Sequence, residues 1–490
     1  LTAGIYLIRL KLKNIFIRGH GITCPIIIIH LNKWRLPVNT RILLSSLLFA
    51  LSFFNNPAVS GNNNMNSPLT DNGSENSITD KKLSGNNSTE ENSTWSLAGI
   101  SLFKPVQYPD AESDIYGLRI NLLYGVHRDI YGFDLGLVNK ADNVYGFQTG
   151  IFYNNVSANM NGFQISVVNN VDGNTYVMQT ALYSNNVKGS MMGVQTALIK
   201  NIVDGTMAGI ETAILLNQVK GNMYGMQTAL LSNKVSGNGA GFQFAISENA
   251  VNGNMYGFQT AAAFNGTGGT MAGFQTAFML NGVHGNMYGF QTAIGCNFVV
   301  SEKKQSAGFG DIYNIYTDQA KGIHSLLGEK NADKGNMYGM QLSIINGVAG
   351  SMNGIQGALF YNASGDMSGI QFAGFYNYTS EDLNGFQISL AGNNTTGNVT
   401  GMQGSLFANY SGEMTGLQIA CLNMQSFNNQ ESVSRGIQFG IINYSEAIEG
   451  VQIGLFNWSK RMAGVQIGLI NIIQNNPVPV MVLINFSSRL

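Results

Sequence analysis

Residues 251–265 read VNGNMYGFQTAAAFN, and some form of this run recurs more than twenty times between Gly117 and the C-terminus. Its opening glycines fall at 117, 132, 146 and 162, then every 16 residues from 193 to 289. They return at 339, 354, 369, 385, 401, 416, 436, 450 and 464. A fixed short period decides the architecture before any other feature, because each unit buries its apolar face only against a neighbouring unit.

The consensus is G-Φ-Q-x-[A/G]-Φ-x-x-N-x-V-x-G-x-M-x, with a 14-residue form near the end: GIQFGIIN from 436, GVQIGLFN from 450 and GVQIGLIN from 464. In the second of these, Val451, Ile453 and Leu455 alternate with Gly450, Gln452 and Gly454. Period two describes a strand with one apolar and one small or polar side. Two glycines per repeat oppose a helix, each costing about 1 kcal/mol against alanine. The expected fold is therefore all-β.

Eighteen glutamines occupy one column of the alignment, from Gln148 to Gln466, and asparagines occupy another, from Asn139 to Asn471. Stacked identical amides can donate to one neighbour and accept from the other, which requires like residues in register. A β-solenoid of ~14–16-residue repeats supplies that register. About twenty-three coils spaced by ~4.8 Å would make a rod on the order of 110 Å. In this reading the Val/Ile/Leu side is the core, while the Gln/Gly side lies outside or stacks at a turn. A second period complicates it. The residue before the glycine is Tyr at 224, 256 and 288 but Ala at 208, 240 and 272. The unit could thus be a 32-residue pair, one coil of two halves, or a hairpin. The hairpin leads to the alternative fold, an antiparallel transmembrane β-barrel, for which Asn-Gly at 265–266, 281–282 and 346–347 would suit tight turns.

Upstream of the array, residues 1–60 read as an N-terminal extension and signal peptide. Basic residues precede an uncharged thirteen-residue run, ILLSSLLFALSFF (42–54), and Ala58, Val59 and Ser60 offer small residues for cleavage near Ser60. Residues 61–97 read as a disordered Asn/Ser-rich linker. The repeat array spans 98–475, with degenerate repeats at 298–338, where Gly310 and His324 stand in the Gln position. A lengthened connection lies at 424–435, and 476–490 form a C-terminal cap.

Charged residues make up 11% of the chain and the net charge is −1, so no field gathers nucleic acid. The three cysteines (Cys24, Cys296, Cys421) lack metal or redox spacing, and the five histidines form no ligand motif. His127, beside Arg128 and Asp129, reads as part of a polar turn. Calcium-binding solenoids need a recurring Asp, and here Asp172, Asp204 and Asp366 are sporadic. Asp134 and Glu211, single replacements in the Gln column, are the carboxylates on which a glycan-hydrolysing reading would rest. The Thr column (Thr180, Thr196, Thr212, Thr228, Thr260, Thr276, Thr292) shares parity with the apolar side, so buried hydrogen bonding is expected of it. No catalytic, cofactor-binding or metal-binding residues are expected, and no cofactor.

Two segments carry a resemblance. Residues 101–139 contain SLFKPVQYP and then DIYGLRINLLYGVHRDIYGFDLGLVN, and residues 435–486 read RGIQFGIINYSEAIEGVQIGLFNWSKRMAGVQIGLINIIQNNPVPVMVLINF. Together these resemble the bacterial surface repeat-containing protein family, over roughly residues 98–488. The resemblance implies an exported or surface-exposed bacterial protein without a known catalytic role, and it transfers no functional residues. The expected function is a non-enzymatic, structural or adhesive one at the cell surface or outer membrane. The partner would be a surface or host ligand, protein or glycan. The alternative is an outer-membrane barrel forming a pore or wall.

Overall fold

The computed structural model describes residues 94–300, 334–425 and 433–490. They form a parallel β-solenoid of about 21 turns with ~16-residue spacing and no helix. One coil shows the pattern: the strand Met255–Ala261, a bend, the short strand Phe264–Thr267 and a second bend. The long strand pairs in parallel with Met271–Ala277 of the next coil, Gln259 opposite Gln275, and the short strand with Leu280–Val283, Asn265 opposite Asn281. Each 16-residue unit is thus one coil. The longer period is an alternation between coils, since Tyr256 lies between Ala240 and Ala272 in register. The barrel alternative is not realised, because successive repeats pair in parallel. Among the described residues, antiparallel pairing occurs only at the two ends. Trp95–Phe103 pairs so with Val106–Tyr108, and Phe456–Ile473 with Val480–Arg489.

The expected assignment of faces is reversed. The glutamine and asparagine columns are fully buried, whereas the residue following each glycine points outward; Phe258 is 39% exposed and Phe274 42%. Counting from Met255, the interior takes that methionine, Gln259, Ala261, Asn265 and Thr267, the last usually Val in other coils. The apolar core is two rows, methionine from the long strands and valine from the short ones. The amide rows lie alongside them. Burial of the polar row is tolerated because each amide is hydrogen-bonded by its own kind.

The two rows donate in opposite directions along the axis. Gln259 Nε2 donates to Gln243 Oε1 of the preceding coil (2.8 Å), and Gln275 Nε2 donates to Gln259 Oε1 (2.7 Å). Asn265 Nδ2 instead donates to Asn281 Oδ1 of the following coil (2.9 Å), with its second hydrogen on the carbonyl of Thr276 (2.7 Å). At the bend before the long strand, asparagines of several coils form a third stack in which Asn238 N donates to Asn222 Oδ1 and Asn254 N to Asn238 Oδ1, both at 2.8 Å.

The repeat's glycine has a steric cause. Gly257 adopts φ +133, and every described glycine opening a repeat lies between +126 and +151. A Cβ at Gly257 would fall on the carbonyl oxygen of Gly241, one coil away. Coil stacking and backbone angle therefore both demand glycine. Val177 breaks the rule, occupying this column at φ 99. A β-branched residue there is strained by about 1–3 kcal/mol. Val177→Gly is expected to stabilise its coil by about 1–2 kcal/mol after the entropic cost of glycine. Slower amide hydrogen exchange around Gln179 and Gln195 is the readout, and unchanged or faster exchange would show the valine to be unstrained.

At two places coils far apart in sequence are neighbours in the stack. Gln341 Nε2 donates to Gln291 Oε1 at 2.7 Å across 50 residues, and Gln438 Nε2 to Gln418 Oε1 at 2.9 Å across 20. The coils of Met287 and Met337 are thereby direct neighbours. Most of the residues expected to be degenerate repeats (301–333), the middle of the lengthened connection (426–432), and the expected signal peptide with most of the linker (1–93) lie outside the described residues.

Candidate functional site

The residues weighed for chemistry are structural in placement. Asp134 and Glu211 are both fully buried in the glutamine row. Five coils separate them, or roughly 24 Å along the axis, so they share no site. Thr260 and its column face outward rather than inward, correcting the expected buried role. Thr276 contributes a backbone carbonyl to the asparagine row, not its hydroxyl.

Asp134 terminates the glutamine row. Gln148 Nε2 donates to its Oδ2 (2.8 Å), and Arg119, in the same column one coil earlier, donates to both carboxylate oxygens, with Nε to Oδ1 at 2.6 Å. A row whose amides all donate toward the N-terminus needs a pure acceptor there, and the carboxylate is one. Arg119 neutralises it and directs Nη1 at His127 Nδ1 (3.0 Å) and the Lys140 carbonyl (3.0 Å). His127 Nε2 lies 3.1 Å from the Pro109 carbonyl. Burial, with the nearby Arg119 charge, lowers the His127 pKa to about 4, so it is neutral at ordinary pH and accepts at Nδ1 from Arg119. His127 belongs to a buried cap, not to the polar turn expected.

Glu211 lies mid-row. Gln227 Nε2 donates to its Oε2 (2.8 Å), while its Oε1 and the facing Gln195 Oε1 have no partner. Burial raises the Glu211 pKa to about 8. With the carboxyl protonated, its O–H donates to Gln195 Oε1, and the acid replaces an amide rung in kind.

What remains for function is the outer surface. On each long strand the first and third residues after the glycine, and the fifth, just past the strand, point away from the core; in one coil these are Phe274, Thr276 and Phe278. Across the described coils these three columns contain no charged residue. The rings of Phe242, Phe258, Phe274 and Phe290 stack coil upon coil with centroids 4.9–5.0 Å apart. Between the ridges of the third and fifth columns runs a shallow trough, lined in one stretch by Thr196, Leu198, Thr212 and Ile214 with Ala197 and Ala213 at its floor. Hydrophobicity read one residue at a time misses this surface. A signal for it is nonetheless present: Arg435 and Glu449, immediately before the glycine, share strand parity with Ile437 and Val451, and charged residues on an alternating strand mark its solvent side.

No family model, curated protein or solved structure matches the chain.

Proposed function

We propose that this chain is an exported, surface-exposed bacterial repeat protein with a structural or adhesive role and no catalytic one. The observation that supports it is the division of labour within each coil. The recurring Gln and Asn side chains lie inside, in amide rows, and the outward columns of the described coils form one long uncharged strip of apolar residues and threonine. Such a surface is a contact surface, since soluble monomers seldom expose apolar patches beyond a few hundred Å². The basic and then uncharged segment ending near Ser60, and the resemblance of residues 101–139 and 435–486 to the surface repeat-containing family, favour export. The ligand class that fits is a protein or a glycan face lying along several coils.

The test uses the full chain in the bacterium that encodes it. Cell fractionation, N-terminal sequencing and protease shaving of intact cells are expected to give a cleaved product starting near Gly61 and accessible from outside. A product retained in the cytosol with residues 1–60 attached would overturn the reading.

A further inference from the structure

The outer strip is large, flat, uncharged and periodic. Its three columns span about 13 Å across the strands and, over the stacked coils, ~100 Å along the axis, or on the order of 1,300 Å². We propose that its partner is a second copy of this chain, the two strips packing face to face about a two-fold axis; this rests on reading the strip as a contact surface.

Three features point to a copy of the same chain. The area is sufficient: two such strips would together bury about 2,600 Å², above the ~1,600 Å² of an ordinary stable interface and within the range of obligate dimers. The relief is self-complementary, since the ridge of Phe258 and Phe274 can enter the trough beside Thr212 or Thr276 of a partner. Because both copies repeat at the same coil spacing, a fit made at one coil is repeated along the length, as an isologous interface requires. Electrostatics raise no objection, with no charge in the strip among the described residues and none there to repel.

A lipid surface fits less well. Membrane-lying faces are flanked by Lys and Arg that hold acidic headgroups. Here the border column before the glycine is mostly Tyr, Ala and Asn. Among the described coils its one arginine, Arg435, is paired with Glu449 at 2.9 Å. At the bends, Lys188 and Lys220 are paired with Asp172 and Asp204 at 2.7 and 2.9 Å.

The experiment is sedimentation equilibrium on the full-length mature chain purified from its host, without detergent, alongside two double variants: Phe258→Lys with Phe274→Lys, and Leu198→Lys with Ile214→Lys. All four positions are exposed, and circular dichroism checks that the β signal is retained. The wild type is expected to be dimeric and each variant to associate at least about 100-fold more weakly, since a copied interface meets every introduced charge twice. A monomeric wild type, or dimers indifferent to both variants, overturns the proposal. So does a wild type that is monomeric alone and floats with vesicles of phosphatidylethanolamine and phosphatidylglycerol, which would assign the strip to lipid. None of these outcomes alters the export result, so failure of the dimer and failure of the surface role are separately visible.

Discussion

Replacing Gln179 with leucine is expected to destabilise its segment of the array by about 3–5 kcal/mol, although the change makes the interior more apolar. Gln195 Nε2 donates to Gln179 Oε1 at 2.5 Å, and Gln179 Nε2 donates to Gln164 Oε1 at 2.6 Å. Leucine removes both bonds and leaves one donor and one acceptor buried without partners, each costing about 1–3 kcal/mol. The sharper expectation concerns the pair. Gln164→Leu together with Gln179→Leu still leaves only two orphans, Gln195 Nε2 and Gln148 Oε1. The double variant should therefore cost about as much as either single one, a coupling of several kcal/mol. Coils unfold locally in such arrays, so hydrogen exchange of amides 160–201 is the measure. Strict additivity of the two changes would show that the row is held by packing, not by its hydrogen bonds.

The second large effect is at Glu211, where the opposite substitution helps. Its folded pKa of about 8 stands above the ordinary 4.5 because burial penalises the anion. The folded state therefore holds the proton more tightly than the unfolded chain. The stability this provides is complete below about pH 4.5, is lost as pH rises through the window to about 8, and is level beyond it. Glu211→Gln is free of this dependence and supplies an N–H to Gln195 Oε1 directly. The variant should match the wild type near pH 4.5 and exceed it progressively, by up to about 4–5 kcal/mol above pH 8. Exchange rates for residues 191–229, compared at acid and alkaline pH, decide it. A constant difference between the two proteins would mean that Glu211 does not titrate within the fold.

Much of the fold was legible in the sequence. The 16-residue spacing, the period-two alternation and the two amide columns together require stacked parallel strands. The barrel alternative arose because the Tyr and Ala of alternate repeats mimic a hairpin pair. In the coils that alternation only seats Tyr256 between two alanines. The orientation of the strand was misread for a definite reason: hydrophobic residues are ordinarily counted inward, and here Phe258 lies outside while Gln259 is buried. Methionine is the better guide, since Met207, Met223 and Met255 recur at a position that charged residues never take and are buried completely. The N-terminal cap was less accessible. Arg119 and Asp134 hold the glutamine column's position, but the pairing of Arg119 with His127, eight residues along the same strand, follows from no spacing rule. The neutral state of Glu211 follows from burial, which becomes visible only once the polar face is known to be the inner one.

The opposed donor directions of the glutamine and asparagine rows carry a consequence for length. An amide is a dipole, and a single row of aligned amides would sum to a macrodipole that grows with every added coil, like that of a helix. Here each coil contributes one buried amide pointing each way, so the axial moments of the two buried rows cancel within the coil, and the third stack lies at exposed bends where water screens it. Inserting or deleting whole coils then changes neither the polarity of the array nor the electrostatic burden on the Arg119–Asp134 cap. Electrostatically the array is extensible, and a chain built this way can vary in reach by duplicating a unit while both of its ends stay the same.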